Sequence, residues 1–123
     1  MTVNRNLAAF AAVNGAVAVA LGAFAAHGAG PQIKTLLTTG AQYQLTHALL
    51  GIACALWPAR TGLVTLAGWL ATCGGLIFSL SLALLGLLSL PALGAITPIG
   101  GVLMILAWLL LMLAALRINP SNA

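Results

Sequence analysis

The chain reads as an all-α integral membrane protein, an antiparallel bundle of four helices with both termini in the cytoplasm. Three observations carry that reading. Asp and Glu are absent from all 123 residues and only 3% of positions are charged, whereas a soluble domain has about a quarter of its residues charged. Mean hydropathy is +1.17 and 63% of residues are hydrophobic, so the solvent for most of the chain is lipid. The four cations, Arg5, Lys34, Arg60 and Arg117, fall at the seams between long apolar runs, where topology determinants lie.

The number of spans follows from length. A hydrocarbon layer of about 30 Å needs roughly 20 residues at about 1.5 Å each. A single domain over 1–123 therefore holds four spans, short connections and little else. Four spans put Arg5, Arg60 and Arg117 on one side and Lys34 alone on the other, and the positive-inside rule makes the first side cytoplasmic. A pI near 10.1 raises the question of nucleic acid, but four dispersed cations make no phosphate-tracking patch. The bilayer is the expected partner, and nucleic acid is not.

The first span is expected over 7–26. Arg5, the apolar stretch from Leu7 and the small residues Ala23-Phe24-Ala25 imitate a secretory signal, but the stretch is read here as a retained membrane helix. Ala8, Ala12, Ala16 and Ala20 recur every four residues, and Ala18, Gly22 and Ala26 repeat the pattern on another face. Small residues at that spacing let helix backbones approach closely in lipid. Gly28-Ala29-Gly30-Pro31 then breaks the chain, glycine ending one helix and proline suiting the first turn of the next.

An interfacial amphipathic segment is expected over 31–39, with Ile33, Leu36 and Leu37 on one face and Lys34, Thr35 and Thr38 on the other. The second span is expected over 38–57. Its uninterrupted apolar stretch, Ala48 to Trp57, is too short to cross, so Gln42, Tyr43, Gln44, Thr46 and His47 share the membrane interval. His47 then lies roughly 15 Å from Trp57, close to the midplane. Tyr43, His47, Gly51 and Ala55 form one stripe of this helix.

A tight connection at Pro58–Gly62 leads to the third span, 65–87, with Trp69 as an interfacial anchor and Ala71, Gly75, Ser79 and Ala83 as a small-residue packing stripe. A chargeless linker follows. The fourth span runs over 97–116, starting at Thr97-Pro98 and ending before Arg117. Cys54 and Cys73 sit inside apolar runs and read as buried small hydrophobes.

Several chemistries are excluded. Without Asp or Glu there is no paired-carboxylate catalysis and no carboxylate proton relay. His47 and Cys54 share a face, but seven residues separate them by about 10 Å along the axis, too far for one ion or for Cys–His nucleophilic catalysis. His27 and His47 differ in depth by about 10 to 15 Å, which argues against bis-histidine haem ligation. No cofactor, metal site or catalytic residue is expected.

The polar side chains His27, Gln42, Tyr43, Gln44, His47, Ser79, Ser81 and Thr97 concentrate in the outer half of the expected bundle. In lipid such groups turn towards a bundle interior or a water-filled cavity. Two readings stay open: interhelical hydrogen bonding, or a small polar pocket open to the outer face.

Four motifs carry a resemblance. Gly22-Ala23-Phe24-Ala25-Ala26-His27-Gly28, Gln42-Tyr43-Gln44 followed by His47-Ala48-Leu49, Phe78-Ser79-Leu80-Ser81-Leu82, and Leu93 to Gly101 resemble, in order, motifs of the small membrane proteins called domain of unknown function 423. Leu80 stands where that family has glycine, and Ala83 where it often has tyrosine. The resemblance implies a four-helix protein of the bacterial inner membrane, with no particular activity. It also implies that His27, Gln42, Tyr43, His47, Ser79, Ser81, Thr97, Pro98, Gly100 and Gly101 are the family's motif residues. With Gly22, Gly51 and Gly75, the last two are read as helix-packing positions.

The expected function is that of a non-catalytic accessory or scaffold bundle. The alternative is a protein that binds or transports a small molecule, a cation or a lipid through the outer polar pocket. The small-residue stripes exceed what one compact bundle uses, which points to a homo-oligomer or a place in a larger membrane complex.

Overall fold

A computed structural model describes residues 3–58 and 61–118. Arg60 and the tail beyond Ile118 lie outside the described residues. Within them the chain is an all-α antiparallel bundle: α1 (Arg5–His27), α2 (Pro31–Ala55), α3 (Gly62–Leu88) and α4 (Thr97–Leu116), with a 3-10 turn at Pro91–Ala95. Three stretches, Arg5–His27, Gly62–Leu88 and Pro91–Leu116, are long and apolar enough to cross a bilayer. At 25 residues, or about 37 Å, α2 is also long enough, but its glutamines, threonines, Lys34 and His47 make it less apolar.

Local chemistry sets the helix ends. Asn4 caps α1, its side chain accepting from the Leu7 N–H at 3.2 Å, and the Asn4 N–H donates to the Ala55 carbonyl at 3.1 Å. The start of α1 is thereby tied to the end of α2. Gly28 closes α1 by donating to the Phe24 carbonyl at 2.8 Å. Its lack of a side chain matters because the Phe24 ring lies 2.8 Å from where a Cβ would sit. Pro31 opens α2 in the first turn, as expected. Ser89, at φ 54°, ends α3 in the left-handed region.

One boundary differs from the sequence reading. No break separates an interfacial segment over 31–39 from a span over 38–57; both belong to the single helix α2. Pro31 sits where its missing N–H costs nothing, and no glycine or proline follows with a conformation that would stop the helix.

Each helix packs on its neighbour in sequence, so α2 and α3 are central and α1 and α4 flank them. Glycines record the register. Gly15 faces Ala48 and Gly22 faces Ala41 across α1 and α2; Gly40 faces Ser79 and Gly75 faces Gln44 and His47 across α2 and α3. Gly74 and Gly100 meet across α3 and α4. The core is built mostly of small side chains. Leu7, Leu50, Cys54, Ala55, Val64, Ala67, Ala71, Ala107 and Ala114 form one cluster, towards the end of the bundle that carries Arg5. Ala25, Leu37 and Ala83 form a second cluster at the opposite end. Large apolar side chains such as Val13, Val19, Ile105 and Leu116 point outward, as they do when the surrounding medium is hydrocarbon.

Candidate functional site

Between the two apolar clusters lies a polar layer. Its depth follows from the register. Gly75 is the midpoint of α3 and packs against Gln44 and His47. Residue 16 is the midpoint of α1 and lies beside residue 47, since Gly15 faces Ala48. Gln44 and His47 are therefore at mid-depth, not in the outer half of the bundle.

His47 is buried, with 5% of its surface exposed, and both ring nitrogens are used. The Trp108 indole N–H donates to His47 Nε2 at 3.0 Å. That bond requires Nε2 to carry a lone pair, so the proton of the neutral imidazole resides on Nδ1. The Nδ1–H then donates to the Tyr43 carbonyl at 2.6 Å. The Trp108 ring meets the His47 ring edge-on, with centroids 5.9 Å apart. Tyr43 lies nearly parallel to His47 at 6.4 Å and tilts against Phe78 at 5.0 Å. Side chains of α2, α3 and α4 thus form one aromatic corner.

A second group joins α1 to α2. Asn14 Nδ2 donates to the Phe10 carbonyl at 3.0 Å, and Gln44 Nε2 donates to Asn14 Oδ1 at 3.0 Å. The Phe10 carbonyl fixes both amides: it accepts only, so Asn14 must present its NH2 there and its oxygen to Gln44. Gln44 Oε1 and Ser79 Oγ are buried and have no hydrogen-bond partner among the described residues.

The eight polar residues expected to share one outer pocket are divided among several places. Gln44 and Ser79 lie at the buried α2–α3 seam. Ser81 and Thr97 pair with each other, oxygen to oxygen at 2.6 Å, where α3 meets the start of α4. His27 is exposed at the end of α1. Gln42, Tyr43 and His47, with Thr46 and Trp108, line an open cleft of about 440 Å³. The reason is rotational: residues adjacent in sequence project about 100° apart around a helix, so Gln42, Tyr43 and Gln44 diverge.

The packing glycines also sort. An added Cβ at Gly51 would overlap Thr72 Oγ1, and at Gly100 it would lie 2.6 Å from the Phe78 backbone nitrogen. Gly75 is tight at 3.3 Å. Gly22 has only ordinary contact at 3.8 Å, and Gly101 has nothing within 4 Å. Those two are therefore not close-packing positions. Gly40, Gly68 and Gly74 are.

Two members of the polar layer escape the sequence reading, Asn14 and Trp108. Asn14 had a signal: it is the one polar side chain between Leu7 and Ala26, and an amide there needs a partner on another helix. Trp108 also had one. It falls in the middle of α4, away from the interfacial belts that tryptophan usually occupies. Trp69, expected at such an interface, stacks on Phe10 with centroids 5.6 Å apart.

Residues 21–101 match the family described as protein of unknown function, DUF423. The chain belongs to this family. It is 42% identical over 113 residues to the UPF0382 membrane protein YwdK of Bacillus subtilis, covering 86% of this chain and 92% of that protein. A UPF0382 membrane protein of Staphylococcus epidermidis is 40% identical over 111 residues, covering 86% and 91%. No solved structure matches the chain. The matched stretch runs from the end of α1 to the start of α4. It includes His47 and Gln44 but excludes Trp108 and Asn14, which complete their respective bonds. The relatives are membrane proteins by name, and the three apolar helices are those of one.

Proposed function

We propose that the protein is a non-catalytic scaffold or accessory bundle of the bacterial inner membrane, crossing it four times with both termini in the cytoplasm. The observation that carries this reading is the full engagement of His47. Its Nδ1 is spent on the Tyr43 carbonyl and its Nε2 on the Trp108 indole. No lone pair or proton of the imidazole is left for a substrate. Ser81 with Thr97, and Gln44 with Asn14, likewise pair side chain to side chain. Most of the buried polarity therefore fastens one helix to another.

The four-span topology is supported by the register. α2 runs antiparallel to α1 and α3 over its length, with contacts from Ile33–Gly86 to Gly51–Thr72. A helix held along two membrane-crossing neighbours crosses with them, and both His47 ring nitrogens and the Gln44 amide nitrogen find partners within the bundle. The excess of Arg5, Arg60 and Arg117 over Lys34 supports the orientation.

His47→Ala tests the function. A fastening residue should lose interhelical hydrogen bonding of about 0.6–2 kcal/mol, read as a lower midpoint in detergent-titration unfolding followed by circular dichroism. An unchanged midpoint would remove the basis for the scaffold reading. Reporter fusions at the two termini test the topology: cytoplasmic signal at both ends is expected, and opposite signals would refute four spans.

A further inference from the structure

The cleft between α2 and α4 is a feature that helix fastening does not explain. It has a volume of about 440 Å³ and is lined by Gln42, Tyr43, Thr46, His47 and Trp108. Tyr43 and Trp108 are each about half exposed into it, at 49% and 47%. His47 holds the Trp108 ring in place through its Nε2, and Phe78 supports the Tyr43 ring from behind. These are two fixed aromatic walls.

The depth of the cleft decides what can reach it. Gln42 lies four or five residues from the mid-depth level of residues 46–47, or about 7 Å, and so within the half-thickness of about 15 Å of hydrocarbon. On the four-span topology proposed above, the mouth of the cleft faces acyl chains rather than water. Exposed polar groups at that depth are costly unless something meets them. The Gln42 amide both donates and accepts, and so does the Tyr43 phenol. Thr46 spends its proton on the Gln42 carbonyl at 2.9 Å, which leaves its oxygen as an acceptor.

Charge narrows the class further. The sequence has no Asp or Glu, and among the described residues no cation lines the cleft. A charged headgroup brought to this depth would meet no counter-charge. A plain acyl chain would leave the amide and phenol unsatisfied. A route from the surface also exists. Gln32, Thr35, Thr39, Gln42 and Thr46 follow one another at intervals of three and four residues, all exposed or half-buried. They form an uncharged polar stripe from the start of α2 to the cleft.

The geometry points to a binding site for a neutral, planar ring bearing carbonyl or hydroxyl oxygens on an apolar tail, the chemistry of a membrane quinone. The ring stacks on Trp108, whose plane is close to perpendicular to that of Tyr43, its oxygens meet Gln42 and the Tyr43 phenol, and the tail runs out among the acyl chains. The volume lies within the range of about 300–1,000 Å³ usual for small-molecule sites.

The test uses the full chain in phosphatidylcholine nanodiscs, with Trp57→Phe and Trp69→Phe leaving Trp108 as the sole indole. A decyl-substituted benzoquinone is titrated and Trp108 fluorescence is read. Saturable quenching is expected, weakened at least tenfold by Gln42→Leu and also weakened by Tyr43→Phe. Both side chains are exposed, so these variants keep the fold, and a circular dichroism spectrum checks it. Dodecanol, which has the tail without the ring, should not compete. Quenching that rises without saturation, or that Gln42→Leu leaves unchanged, would overturn the site. Strong quenching by brominated acyl chains that the quinone fails to relieve would also overturn it, in favour of ordinary lipid filling the cleft.

Discussion

Replacing each of the neighbouring glycines 100 and 101 by alanine measures how closely α3 and α4 are apposed. At Gly100 the new Cβ would lie 2.6 Å from the Phe78 backbone nitrogen and 2.7 Å from the Gly74 carbonyl oxygen. Ordinary contact begins at 3.4 Å, so the shortfall against Phe78 is 3.4 minus 2.6, or 0.8 Å. Both obstacles are backbone atoms inside α3, and no rotamer change relieves them. α4 must move away from α3, loosening contacts along the seam. At Gly101 nothing lies within 4 Å, so the same methyl enters open space. The intrinsic gain of alanine over glycine in a helix, about 1 kcal/mol in water, applies to both positions and cancels in the comparison. Overpacking costs about 1–3 kcal/mol, so Gly100→Ala should be less stable than Gly101→Ala by about that amount. Unfolding of the two variants in the same mixed micelles, titrated with a denaturing detergent, gives the difference directly. Equal midpoints would refute the close backbone approach and the register of α4 with it.

Two further predictions concern the polar layer. Asn14→Leu and Gln44→Leu should each destabilise the bundle, and a double-mutant cycle should return a coupling of about 1 kcal/mol, since the two amides bond each other; additive effects would contradict that bond. Ser79→Ala should leave stability unchanged or raise it by up to about 1 kcal/mol, because its buried hydroxyl has no partner among the described residues. Ser81→Ala should lower stability by about 1 kcal/mol, because its hydroxyl pairs with Thr97. Reversed signs in thermal unfolding would show that the two serines have been assigned the wrong roles.

Some of the candidate site was legible in the sequence and some was not. Counting residues from Trp57 placed His47 near the middle of the second span, and in the structure His47 packs against Gly75, the midpoint of α3. The same counting placed Gln42, Tyr43 and Gln44 together, and there it failed. Depth is a coordinate along the helix axis, which residue number fixes at about 1.5 Å per step. The direction of a side chain is a rotation about that axis, which numbering does not fix. Gln44 turns into the bundle towards Asn14, whereas Gln42 turns outward to the cleft.

The sequence by itself determined the solvent, the helical class, the helix breaks at Gly28 to Pro31, and the burden of polarity on α2. All of these follow from composition and local backbone chemistry. Tertiary structure alone decided that His47 would meet Trp108, 61 residues away, and that Gly100 but not Gly101 would lie against α3. In a soluble helix a polar face marks the side turned to water, and the buried face can be read from the pattern. α4 is apolar on every side, so its pattern names no face. Which side of it touches protein and which touches lipid is settled by close packing of backbones and by a few hydrogen bonds, and those exist only once the helices are together.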